Sequence, residues 1–390
     1  MTIPIPSDGA CTAVHTVSAF LSMRDLVISR ITQEGPVSFR DFMDMALYHP
    51  DAGYYTSAQN KLGKEGDYYT SATLTCIYGQ MIARQLEEMW LLMGKNPFTI
   101  VEIGAGTGRL CFDILNHLKH NTDMYDKLRY CIIEKSSVMR AKERELLDEK
   151  VTWHDCLADI GDITGCILSN ELIDNLPVHR VVMKNDLMEL FIDYNDGFTE
   201  VLRPAAPVLT SYLDKLNIIL PEDHYTEINL DATAWITEVS RYLKSGYVLT
   251  VDYGYTADEL CNAKWREGSV ACYSRHTVNY NPYNEVGLQD ITAHVNFSAL
   301  QQWGADHGLI CCGYTSQSSF LHALGIAGHL REMELQGLFD HLNIKEKLFL
   351  VNTLLMDMGE KFKVLIQRKN CPDTCLSGLL LSKPGDLKAC

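Results

Sequence analysis

The chain has 390 residues, 46% hydrophobic and 22% charged, which is enough apolar material for a large core and long for one compact unit. Its formal net charge of −16 excludes nucleic acid as an expected partner, because that affinity rests on Lys and Arg neutralising phosphates. No apolar run is long enough for a membrane span, and the 13 cysteines form no C-x-x-C pair or His/Cys cluster of zinc spacing, so no metal site is expected.

In chain order, residues 1–20 carry little pattern. They are neither Arg-rich nor built as a basic stretch followed by an apolar one, so no transit or signal peptide is expected. With cysteines reading as reduced small hydrophobes, a cytoplasmic location follows. Apolar spacing predicts a helix over 23–31, stopped by Gly35-Pro36, and a second over 39–48 with Ser38 as its N-cap. A Gly/Tyr-rich loop follows over 51–71, carrying GYYTS and GDYYTS. It is either a surface loop or part of a binding site. Residues 75–93 read as a helix whose Met and aromatic stripe belongs in the core.

The stretch 99–110, TIVEIGAGTGRL, combines a β-forming run, an acid at Glu102, and glycines at 104, 106 and 108 before a helical pattern resumes. Strand, glycine turn and helix start make the first βα unit of a Rossmann-type sheet. The spacing is neither the dinucleotide G-x-G-x-x-G nor a P-loop. An acid at the strand end suits a ligand with a positive end, and S-adenosylmethionine, with its ammonium and sulfonium, has that character. A turn serving chain reversal alone is the other reading. A second strand over 128–133 ends at Glu134, placed to bond ribose hydroxyls. A third strand over 151–154 is followed by Asp155, which either accepts from an adenine amino group or is an ordinary turn aspartate.

The fourth strand, 166–169, runs into Asn170-Glu171-Leu172-Ile173-Asp174. Ligands of open α/β sheets sit off the carboxyl ends of strands, so Asn170 and Glu171 fall beside a methyl acceptor. Glu171 and Asp174, spaced i,i+3, share one face if the segment is helical and could clamp a guanidinium. Alternatively they are a helix-start acid and a solvated turn residue. Residues 178–193 read as a hairpin, and 197–245 interrupt the βα alternation. Strands over 247–251, 309–314 and 362–367 follow, with helices between, and the tail 369–390 reads as weakly structured.

Several blocks in order resemble the MidA family of S-adenosylmethionine-dependent methyltransferases. They are ALYHPDAGYYTS (46–57), GDYYTSA (66–72), VEIGAGTGRL (101–110), SNELIDNLPVHR (169–180), VDYGY (251–255), CYSRH (272–276), QDITAHVNFSAL (289–300) and MGEKFKVL (358–365). The resemblance implies an α/β fold: a Rossmann-like, seven-stranded class I methyltransferase sheet with a helical N-terminal cover and an inserted substrate lobe. The chain would divide into a cover with a cofactor-capping loop (1–95), core (96–195), an inserted lobe (196–300) interrupted by the core strand 247–252, core (301–368) and tail (369–390). It also implies S-adenosyl-L-methionine as cofactor, held by Glu102, Gly104, Gly106, Gly108, Glu134 and Asp155, with Gly66, Thr70 and Ser71 from the capping loop.

The acceptor implied is a protein arginine. Glu171 and Asp174 would orient its guanidinium while Asn170 holds the attacking nitrogen. His294 or His276 would take the released proton, or each histidine only bonds a loop. A small-molecule acceptor or a non-catalytic assembly module keeps the same fold, and a homodimer is compatible with all three.

Overall fold

Apolar runs broken by glycine turns become a mostly parallel sheet. The computed structural model describes residues 21–56, 70–337 and 343–382. Seven strands follow one another across the central sheet: β1 (Phe98–Ile103), β2 (Leu128–Ile133), β3 (Val151–His154), β4 (Ile163–Asn170), β5 (Leu243–Tyr255), β6 (Ile310–Ser316) and β7 (Phe362–Lys369). Their spatial order is β3-β2-β1-β4-β5-β7-β6, and only β7 runs antiparallel to its neighbours. The expected seven strands become eight, because Val295–Asn296 pairs in parallel with the end of β5 at Gly254 and Tyr255.

Side chains alternate between the two faces, as the pleat requires. Ile100, Cys166, Leu168, Leu249, Val364 and Ile366 join the core beneath helices Cys76–Leu92 and Arg109–Leu118. Val101, Ile167, Val248 and Leu365 face the opposite layer, with Ile236, Val239, Phe297 and Leu300 of helices Leu230–Tyr242 and Phe297–Asp306. A parallel sheet covered on both faces explains why its strands read as continuous apolar runs.

The N-terminal helices Met23–Glu34 and Phe39–Tyr48 start on Ser22 and Ser38, whose hydroxyls accept from Asp25 N–H and Asp41 N–H. Their apolar faces pack away from the central sheet. Val27, Phe39, Phe42 and Leu47 meet Leu190 and Ile192 of a second, antiparallel sheet and Cys272 and Ile291 of a third. The second sheet holds the expected hairpin, His179–Met183 and Leu187–Tyr194, joined by Phe198–Pro204, Tyr225–Ile228 and Val37–Ser38. The third comprises Ala271–Ser274, Thr277–Asn279 and Asp290–Thr292.

The helix Thr122–Lys127, capped by Asn121, leads into β2. A further expectation changes. Residues 370–382, expected to be weakly structured, are packed on the core: Leu376 and Leu379 are buried, and Ser377 and Gly378 N–H donate to Glu88 and Gln85 of helix Cys76–Leu92. Among the described residues, no helix is long and apolar enough to cross a membrane.

Candidate active site

A cavity of about 1630 Å3 opens along the carboxyl ends of β1, β2, β4 and β5. At one end lies the glycine turn. Gly104, Gly106 and Gly108 all have positive φ, at 72°, 59° and 77°, which a side chain would resist. A Cβ on Gly104 would also lie 2.8 Å from Leu172 Cδ1. Gly104 and Gly106 line the cavity. Gly108 instead begins helix Arg109–Leu118, with Leu147 Cδ1 3.0 Å from where its Cβ would be, so close packing accounts for it.

Glu102 is 2% exposed and reaches the cavity edge. Tyr130 OH on the neighbouring strand donates to its Oε2 at 2.6 Å, and burial nevertheless pushes its carboxyl up to about 7. Glu134 ends β2 inside the cavity. Burial raises it too, against the Ser136 N–H donated to Oε1 at 2.7 Å. Asp155 lines the same end with its side chain 84% exposed. Arg140, which no motif singled out, ties the two strand ends together: it donates to the Glu134 and His154 carbonyls and to Asp155 Oδ1 at 2.6 Å.

Of the capping-loop residues, Thr70 faces the cavity and caps the helix Ser71–Leu74 through Thr73 N–H. Ser71 is turned inward. Its hydroxyl donates to Gln317 Oε1, so only its backbone serves the site. Gly66 lies outside the described residues.

At the other end stands the turn that follows β4. The expected helical turn is absent; Glu171 instead has a left-handed backbone, φ 54°. Asp252 makes this possible. It is 1% exposed, its Oδ2 accepts N–H groups of Leu172, Ile173 and Asp174 at 3.1, 2.8 and 3.4 Å, and its Oδ1 accepts Tyr253 N–H. Burial still raises its carboxyl to about 7. Glu171 Oε1 accepts Ser71 N–H at 2.9 Å and Asn170 Nδ2 at 3.2 Å. Its carboxyl is pushed up to about 8 by burial, with Asp252 adding to the shift. Asn170 Oδ1 accepts from the buried Tyr78 OH at 2.6 Å, so Tyr78 and Asn170 together orient Glu171.

Asp174 is 4% exposed and lines the cavity, and its Oδ1 has no protein partner. Burial, then Asp252 and Asp290, raise it well above the usual carboxylate range; Tyr253, whose hydroxyl also lacks a partner within bonding geometry, stands near enough to soften that shift. His294 sits among Trp265, Tyr255 and Tyr253, with ring centroids at 4.4, 5.3 and 5.5 Å. Burial, with Lys264 and Lys361 nearby, lowers its pKa to about 4, and its Nδ1 has no partner. His276 is exposed on a strained turn lining the cavity.

The two ends differ in chemistry. Open turn backbone and strand-end carboxylates fit a nucleoside carrying an amino-acid end. Buried carboxylates and aromatic rings fit a cation.

A model of a family of S-adenosyl-L-methionine-dependent methyltransferases matches residues 81–315. Among curated relatives, the mitochondrial protein arginine methyltransferase NDUFAF7 of Homo sapiens is 27% identical over 375 residues, covering 85% of this chain and 80% of its own. The Mus musculus protein is 26% identical over 372 residues, covering 85% and 81%. A protein from Burkholderia thailandensis, solved with S-adenosyl-homocysteine bound, superposes with a TM-score of 0.84 at 28% identity, covering 94% of this chain and 95% of that one. These curated relatives are mitochondrial, which overturns the cytoplasmic location expected above. Acidity and reduced thiols do not distinguish one compartment from another, and targeting segments are addresses read by receptors, outside the fold.

Proposed function

The chain belongs to the S-adenosyl-L-methionine-dependent methyltransferases, and from that premise we propose that its acceptor is an arginine side chain of a protein. The observation that carries the acceptor is the buried Asp174 carboxylate, one oxygen unpartnered, on a residue that lines the cavity as Glu171 does. The names of the curated relatives support the same substrate class.

In this reading, Gly104, Gly106, Glu102 and Thr70 hold the amino-acid end of the cofactor, and Glu134 and Asp155 its nucleoside end. The cofactor supplies, when bound, a methyl group on a positively charged sulfur. The chain's own task is then positioning, which can provide most of the rate of an in-line displacement. Asn170 and Tyr78 fix Glu171, and Glu171 and Asp174 draw the guanidinium into the site. A cation beside Glu171 favours its charged form, reversing the burial that holds its carboxyl near 8. His294, kept neutral, accepts the proton lost by the acceptor nitrogen and passes it to solvent. Residues 21–56, packed with the two smaller sheets, form the acceptor side, and residues 370–382 brace the core.

Incubation with methyl-labelled cofactor, arginine- and lysine-containing peptides and a metabolite extract tests the reading. Label is expected on arginine; label confined to metabolites sinks it. Glu171→Gln should lower turnover by about tenfold or more, the scale of a lost charge-assisted hydrogen bond. It should leave cofactor affinity, measured by calorimetry, within about twofold, well under the cost of one hydrogen bond. Unchanged turnover removes Glu171 from the acceptor site.

A further inference from the structure

Four carboxylates crowd the acceptor end, and their hydrogen bonds sort them. Asp252 is committed to the backbone of residues 172–174. Glu171 is committed through one oxygen to Ser71 and Asn170. Asp174 leaves Oδ1 without a partner.

The fourth, Asp290, arrives from a distant part of the chain. It opens the strand Asp290–Thr292, paired with Ala271–Ser274, and is 2% exposed. Tyr55 OH donates to both of its oxygens at 2.9 Å. Just beyond this strand, Ala293 N–H donates to the Asp174 carbonyl at 3.0 Å, which stitches the two segments together. Tyr55 in turn stacks on Tyr48, whose hydroxyl donates to the Asn175 carbonyl. Asp174 and Asp290 both line the cavity and both act electrostatically on Tyr48, Tyr253 and Tyr273.

A second observation points to a ligand. Asn175, 8% exposed and lining the same cavity, has its Oδ1 unpartnered. Asp174 Oδ1, Asn175 Oδ1 and His294 Nδ1 are buried and unpartnered, and all three residues line the cavity together with Tyr48, Tyr55, Tyr253 and Tyr273. Among the described residues, no group of three or more His, Cys, Asp or Glu side chains is arranged to hold a metal ion. A planar cation with several N–H donors answers such a site, and guanidinium offers five in a fixed fork.

We propose that Asp174 and Asp290 together form the seat of the acceptor guanidinium, a carboxylate toward each edge of its plane, and that this seat selects arginine over lysine. It rests on the arginine reading and revises it: Asp290, held by Tyr55, supplies the second carboxylate, while Glu171 faces the nitrogen to be methylated. An ammonium is a compact point charge and satisfies one such carboxylate well, whereas the guanidinium fork spans two.

Calorimetry on the full chain saturated with S-adenosylhomocysteine tests the seat, using Nα-acetyl-arginine amide and its lysine counterpart as probes. The native protein should bind the arginine probe about tenfold or more tightly than the lysine probe, and Asp290→Asn should lose about tenfold for arginine. S-adenosylhomocysteine affinity is the control for folding and should stay within about twofold. Loss of less than about threefold in Asp290→Asn, or equal native affinity for the two probes, overturns the seat alone. Native protein that binds S-adenosylhomocysteine but neither probe overturns the arginine reading, and the seat with it. Should Asp290→Asn fail to bind S-adenosylhomocysteine, Tyr55→Phe decides: weaker arginine binding supports the seat and unchanged binding overturns it.

Discussion

Glu143 shows how far a single side chain can depart from its surface reading. It lies buried on helix Ser137–Leu146 beside the glycine turn, where Trp153 Nε1 donates to Oε2 at 2.7 Å and Oε1 has no partner. Burial, reinforced by the nearby charge of Glu134, pushes its carboxyl up to about 8. A folded value above the unfolded one stabilises the protein fully below the unfolded value, near pH 4.3, and that contribution fades as pH climbs to about 8. Glu143→Gln keeps the shape and removes the titration. Its melting temperature should therefore rise relative to the native protein by several degrees between pH 5 and pH 8. A difference constant across that range would clear Glu143 of the effect. No sequence pattern marks this residue, since an acid in an amphipathic helix ordinarily faces water. Asp252 was equally hidden, because its role exists only against backbone N–H groups of residues 172–174. Glu102 and Glu134 were legible from strand ends alone, which the geometry of a parallel sheet makes informative.

Elements were legible in proportion to how continuously apolar they are. The first three core strands lie where their runs predict them, but β4 starts three residues before the expected 166, at Ile163, and β5 extends over Leu243–Tyr255 instead of 247–251. Lys244, Ser245 and Gly246 break the run: Lys244 is skipped at a shift in register, while Ser245 and Gly246 still pair along β4, Gly246 opposite Gly165. The strand Phe198–Pro204 was missed because, half-exposed and ending on Pro204, it carries little alternation. The tail misled most. Its Pro, Gly, Ser and Cys read as loop, yet Leu376 and Leu379 are seated against the core, and a Cβ on Gly378 would lie 2.3 Å from Phe320. Burying a leucine is worth roughly 1.5–3 kcal/mol. A chain ending at Lys369 should then melt roughly 5 °C or more below the full chain. An unchanged melting temperature would mean that the seat contributes nothing.

Across the whole molecule, the central sheet builds the cofactor end of the cavity, and the N-terminal cover with the two smaller sheets closes the acceptor end. The glycine turn announced the first of these in the sequence; nothing local announced that Tyr55 would meet Asp290. The position of β7 has a consequence in time. Among the described residues, β6 pairs with no strand except β7, and β7 is made after it. While the chain is being synthesised, β6 and the flank of β5 that β7 covers wait with open hydrogen-bonding edges, which are sites for misassociation. Assembly thus waits for a strand made after both of the strands it joins. A nascent chain stalled on the ribosome before Phe362 leaves the exit tunnel should be cut readily by protease within β5 and β6, and release of the full chain should protect both. Protection already present at the stall would show that the sheet closes without its last strand.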